Sequence, residues 1–180
     1  LSIFPLAGLP NKQTINCNES GYWSRFNSDQ YGFNNPKEEW SKGEYEFVLI
    51  GDSFLLGDCV NFPNDISNQI RAKLKLNNNK SGVLNLGYGG NGPLIEYASL
   101  REYFPNKKVD KILIFFSDAN DFNDFNLEIE NPILRKYFDN KNFSQDLKNK
   151  QDRINKILLE KFNSEIEKKN DNRLIRFNEI

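Results

Sequence analysis

Three short stretches hold the residues whose types and spacing suit nucleophilic chemistry. Gly51-Asp52-Ser53-Phe54 follows the apolar run YEFVLI at 45–50. Gly87-Tyr88-Gly89-Gly90-Asn91-Gly92-Pro93 follows a second apolar run, and Asp118-Ala119-Asn120-Asp121 follows a third. A serine that leaves a buried strand through a Gly-Asp turn brings its hydroxyl to the end of a sheet, where it can attack a carbonyl carbon. The glycines let backbone N–H groups approach a substrate oxygen without a Cβ in the way, and Asn120 offers a side-chain amide. Donors converging from Ser53, the glycine stretch and Asn120 would form an oxyanion hole, in which removing one donor often costs ~3 kcal/mol or more. Gly87, Asn91 and Asp118, on the same loops, are the expected substrate contacts. What the set lacks is a base. The chain has no histidine, and Asp52, Asp58 and Asp118, with an ordinary carboxyl pKa of about 4, are poor bases for a serine hydroxyl. Asp52 is therefore read as shaping the turn.

The elements that must position these loops are legible in the apolar pattern. YEFVLI is apolar enough to be a strand buried on both faces, as parallel strands are. In NDISNQIRAKLKL, Ile66, Ile70 and Leu74 recur every four residues behind Asp65, a plausible N-cap, which predicts an amphipathic helix. SGVLNLG is a second strand, PLIEYASLREYF a helix opening on proline, and VDKILIFFS a third strand. The order β-α-β-α-β predicts a parallel sheet covered by helices. Ligands of such sheets bind outside the carboxyl ends of the strands, where all three stretches lie. Beyond the sheet, DANDFNDFNLEIENP reads as a polar loop and NPILRKYF as a short helix. Residues 142 to about 169 read as one long helix. Its apolar residues, from Phe143 through Leu147, Ile154, Ile157, Leu158 and Phe162 to Ile166, keep a three-four spacing, with Asn142 and Gln145 placed like a capping box. This stripe suits core packing, a lid or a subunit contact. Residues 1–44 form the other part of the chain, before the α/β body at 45–180. They are rich in Pro, Gly, Asn and Ser, with Tyr22, Trp23, Phe26, Tyr31, Phe33 and Trp40 among them. So many large aromatics predict an extended arm packed on the body rather than a linker.

The totals narrow the function classes. A length of 180 residues suits one core-bearing domain, and 24 basic residues balance 25 acidic ones. That balance argues against a nucleic-acid or anionic-membrane partner, which would favour a basic excess. No run approaches the length of a membrane span. Cys17 and Cys59, the two cysteines, lack zinc-site spacing. Either they are unrelated thiols, or they form one disulfide pinning the arm beside the Ser53 loop. A bridge would imply an oxidising compartment. The chain has no methionine and ends on RLIRFNEI, so it is expected to be an internal fragment.

Taken in order, VLIGDSF, NLGYGGNGP and DAND resemble the three blocks of the SGNH/GDSL hydrolase family: a strand followed by G-D-S, an N-x-G-x-x-G stretch, and G-x-N-D. The resemblance covers roughly residues 30 to 125, and SDQYGFNNPKEEW resembles the leader of bacterial members near surface-polysaccharide functions. It implies a flavodoxin-like three-layer α/β/α sandwich with a parallel sheet. It also implies a serine esterase or O-acyltransferase acting through a Ser53 acyl-enzyme, with acylated glycans among its expected substrates. Ser53 takes the nucleophile role and Gly90 and Asn120 the oxyanion roles, while Asn85 and Asp121 complete the motifs. Asp118 departs, standing where the family has glycine. The family needs no metal or cofactor, and its likeness favours an extracytoplasmic location, periplasmic or secreted. Its fourth block, D-x-x-H, is missing from these residues and is expected beyond Ile180, leaving the fragment alone nearly inert. The alternatives are a pseudoenzyme or a binding module for a glycan or acyl ligand. A nucleotide-binding sheet fits less well, since no G-x-x-x-x-G-K-[ST] motif is present. The sequence does not set the oligomeric state.

Overall fold

A computed structural model describes residues 3–19, 21–77 and 80–178. Its central element is a three-stranded parallel sheet in which β3 (Tyr45–Ile50) lies between β4 (Gly82–Asn85) and β5 (Val109–Ile114). Val48 pairs with Leu84 on one side and Ile112 on the other. Successive residues of β3 point to opposite faces, and two apolar clusters follow from that. Leu49 joins Val83 and Leu55 beneath Ile66, Ile70 and Leu74 of α2 (Ile66–Leu76). Val48 and Ile50 join Leu84 beneath Leu94, Ile95 and Ala98 of α3 (Pro93–Tyr103). The chain is thus mixed α/β, with a core on each face of the sheet. Asp65 caps α2 through the Asn68 N–H, and Pro93 opens α3. At the sheet edge β5 leaves Ile112, Ile114 and Phe116 exposed.

The arm is built on buried polar groups as much as on aromatics. An antiparallel pair, β1 (Gln13–Ile15) with β2 (Arg25–Asn27), leads to Asp29, which is wholly buried. The Asp29 carboxylate accepts from the Tyr31 and Phe33 N–H groups, Asn35 Nδ2 and Trp40 Nε1. Burial pushes its pKa up and these four donors pull it down, so the carboxylate fixes the turn that aims Asn35. Asn35 then exchanges two hydrogen bonds with the Asn85 backbone, each 2.8 Å. One turn later Glu39 accepts from the Val83 N–H and pairs with Arg71 at 3.3 Å. The segment 29–39 therefore docks on β4 from outside the sheet.

After β5, the stretch 121–128 forms a helix, α4 (Asp121–Glu128), where a loop was expected. Both its ends are held: Asp121 Oδ2 accepts locally from the Ser117 N–H, and the Glu128 carboxylate accepts from the N–H groups of Gly92, Leu94 and Ile95 at the start of α3. A short helix, α5 (Leu134–Asp139), follows. The long helix α6 runs Gln151–Asn178 and does not begin at 142. Buried Glu102 accepts from the N–H groups of Gln145 and Leu147, and Asp146 adopts a left-handed φ of 59°. The backbone thus follows that carboxylate instead of coiling. Gln145, expected in a capping box, exchanges hydrogen bonds with the Phe4 backbone. The apolar stripe of α6 is core from Ile154 to Leu158, whereas Phe162 and Ile166 are exposed. Among the described residues no helix is long and apolar enough to cross a membrane.

Candidate functional site

Ser53 owes its position to a tight exit from β3. A Cβ at Gly51 would lie 3.0 Å from Phe115 Cβ and 3.1 Å from Leu55 Cβ, so the chain can pass there only as glycine without displacing its neighbours. Asp52 is buried and accepts from the Phe54 N–H at 2.9 Å, capping the single turn α1 (Ser53–Leu56). Ser53 is the first residue of that turn. The turn ends at Gly57 with φ +86°, and the Asp58 N–H then folds back onto the Ser53 carbonyl at 3.0 Å. Cys59 follows at φ +62° and is joined by a disulfide to Cys17 of the arm, with Cα atoms 4.8 Å apart.

The glycine loop lies alongside. Asn85 is fully buried, donates to the Leu55 carbonyl and accepts from the Gly87 N–H at 2.8 Å. Gly87 packs so closely that a Cβ would sit 2.8 Å from Leu55. It lies beneath the Ser53 turn as a packing residue. A Cβ at Gly89 would lie 3.8 Å from Ser53 Cβ and 3.4 Å from Asp58 Oδ2. Gly90 has φ +77° with open space on its Cβ side, a conformation that favours glycine.

A cavity of about 410 Å³ opens between these loops and the arm. Ser53, Leu56, Asp58, Tyr88, Gly89 and Gly90 form one wall, and Thr14, Asn16 and Phe26 the other. Gly90 and Tyr88 also border a second cavity of about 530 Å³, which Asn91 lines together with apolar residues such as Ile95 and Leu158. Neither Asn120 nor Asp118 lines the serine cavity. Asn120 stands at the N-terminus of α4, where its Nδ2 donates to Asp124 at 2.8 Å, and Asp118 is exposed. The structure thus brings Ser53 and Gly90 together, sets Asn91 one cavity away, and leaves Asn120 engaged with its own helix.

The charge around the site is negative. Burial pushes the Asp58 carboxyl up, helped by Asp52 and then Glu19. Tyr88 is raised by burial and by Asp58. Behind the loops, Glu96 on the inner face of α3 is 3% exposed, and its pKa is pushed up to about 8 by burial, then by Asp121, Asp52 and Glu128. Glu96 Oε1, Asp121 Oδ1 and Asn91 Nδ2 are buried without a hydrogen-bond partner among the described residues. Cys17, Glu19 and Cys59 place their ligand atoms within 4.8 Å of one another, but the two sulfurs are bonded to each other and are not thiolate ligands.

Asn16, Tyr88 and Gly89 were not expected as site residues. The run of glycines hinted at Gly89, whereas nothing local marks Asn16, which reaches the cavity through the disulfide next to it. Comparison with protein-family models, curated proteins and solved structures found no match for this chain.

Proposed function

We propose that the chain is an α/β domain of the SGNH/GDSL hydrolase kind, with a flavodoxin-like sandwich, in which Ser53 takes an acyl group from an ester. The observation that carries this reading is the shared cavity of Ser53, Gly89 and Gly90 at the carboxyl ends of β3 and β4. Ser53 Oγ attacks the ester carbonyl carbon and gives up its proton to a base. The carbonyl oxygen gathers negative charge, which backbone N–H groups of Ser53 and the glycine loop stabilise. Expulsion of the alcohol leaves an acyl-serine, and water or a second hydroxyl then removes the acyl group. Asn120, which donates to Asp124 at the start of α4 and does not border this cavity, is not one of the donors on which this reading rests. These 180 residues hold no histidine, so the reading places the base outside them.

The test is to incubate the chain with p-nitrophenyl acetate, with and without imidazole as a small external base, and to map acetylated peptides by mass spectrometry. Acetyl on Ser53 that rises at least about tenfold with imidazole is the expected result. Acetyl confined to lysines in both conditions overturns the reading. Hydrolysis without imidazole that Ser53→Ala abolishes would keep the serine and overturn the external base. A second reading, favoured by the missing histidine, is an acyl- or glycan-binding module without turnover, and the same peptide map decides between the two.

A further inference from the structure

A groove of about 680 Å³ runs between the arm and α6, apolar along its walls and charged at its rim. Leu9, Ile15 and Phe26 of the arm form one side and Leu158 and Phe162 of α6 the other, while Lys12, Lys161 and Glu165 stand exposed around them. Gly8 and Gly32, which also line it, meet backbone to backbone. A Cβ at Gly32 would lie 2.1 Å from the Gly8 carbonyl oxygen, and one at Gly8 3.0 Å from Tyr88 Oη. That part of the lining is therefore bare of side chains, and the groove stays open. Ile15 is 56% exposed and Phe162 58%, so each side holds apolar surface in water. Covering such surface is favourable, and an exposed apolar patch rimmed by polar groups marks a binding site.

Its position says what fills it. Thr14, Phe26 and Tyr88 line both the groove and the cavity of Ser53. Thr14 and Phe26 are paired across β1 and β2, so one short stretch of the arm borders both spaces. The exposed apolar row at the sheet edge, Ile112, Ile114 and Phe116, borders neither. A group held at Ser53 thus reaches the groove only through a flexible tail that passes Phe26, and the lining asks that the tail be apolar. We propose that the groove is the subsite for the acyl chain of the ester, an unbranched alkyl chain longer than acetyl. The carbonyl end lies in the serine cavity, and the methylenes lie between Ile15 and Phe162. This rests on the reading of Ser53 as the acyl acceptor and names the acyl side of that substrate.

The experiment is an amide-resolved NMR titration of the whole chain with a homologous series from N-methylacetamide to N-methyldecanamide, uncharged mimics of the acyl group that resist hydrolysis. The expected result is saturable shifts at Thr14, Ile15, Leu158 and Phe162, with Kd tightening about twofold to fourfold per added methylene until the groove is full. Phe162→Ser removes one side of the groove at an exposed helix position. It should weaken the longest probe at least about fivefold while leaving the amide spectrum folded. An affinity that does not change with chain length overturns the subsite, as do shifts that gather at Ile112 and Ile114 or at Ile3 and Ile133 of the neighbouring cavity. Shifts at the groove that follow protein concentration and not the probe mark a second copy as its occupant and overturn it too. Failure of the serine reading is separate, and shows as an unacetylated Ser53 with chain-length-dependent binding intact.

Discussion

Glu96 offers the sharpest test of the electrostatics beneath the site. Its carboxyl is buried in α3, faces Asp121, Asp52 and Glu128, and is held at about 8 against an ordinary value of 4.5. The folded chain therefore keeps Glu96 protonated at neutral pH, while the unfolded chain releases that proton above 4.5. Between these values the native state binds more protons than the unfolded one, so stability falls as pH rises. The stabilisation is complete below 4.5 and is lost as pH passes through about 8. Carrying one carboxyl across that interval corresponds to at most about 5 kcal/mol, a large share of the roughly 5–15 kcal/mol that holds a typical domain together. Rearrangement and water entry reduce this, and about 2 kcal/mol is the smallest effect that the burial of Glu96 would justify. Glu96→Gln substitutes a neutral amide of the same shape. Urea unfolding followed by far-UV circular dichroism from pH 4.5 to about 9 should show a clearly shallower decline for the variant. Asp29 and Asp58, also raised by burial and not among the groups acting on Glu96, slope both curves alike and cancel in the difference. Parallel curves for the two proteins would refute the assignment of Glu96 as a neutral buried acid.

Two further outcomes follow from other groups. Glu128→Gln weakens the charge-assisted bonds to Gly92, Leu94 and Ile95 and should cost roughly 1–3 kcal/mol, with hydrogen exchange rising first at the Leu94 and Ile95 amides. Unchanged protection there would show that the carboxylate does not hold the start of α3. Replacing Cys17 and Cys59 by serine opens a loop with a sequence separation of 42. It should lower stability by about 4 kcal/mol in the chain-entropy account, measured by calorimetry, and a melting temperature unmoved by the double substitution would count against the bridge as a fastening of the arm.

The three strands of the parallel sheet and the helices α2 and α3 were legible because each segment carries its own signal. YEFVLI is apolar on both faces, Asp65 stands one residue before a four-residue period, and Pro93 opens its helix. The helix at 121–128 was illegible for the opposite reason: Glu128 bonds to the start of α3, more than thirty residues earlier, a contact that no local period encodes. The start of α6 failed likewise, since a buried carboxylate at Glu102 outcompetes the helical pattern at 145–147. In the site, Ser53 and Gly90 could be read from turn chemistry. Asn16 could not, because its approach to Asp58 depends on the arm wrapping the body.

The arm also bears on the order in which the molecule assembles. Asn35 finds its partner at Asn85, fifty positions later, and Phe4 exchanges hydrogen bonds with Gln145 at a separation of 141. Such distant pairings slow folding, because the chain entropy between the partners is lost before the contact returns anything. The stretch around Phe4 is thus among the last of the described residues to settle. Until Gln145 is in place the Phe4 backbone lacks these two bonds, whereas the wall that carries Asn16 is fastened earlier, by β2, the Ser24 carbonyl and the Cys17–Cys59 bridge.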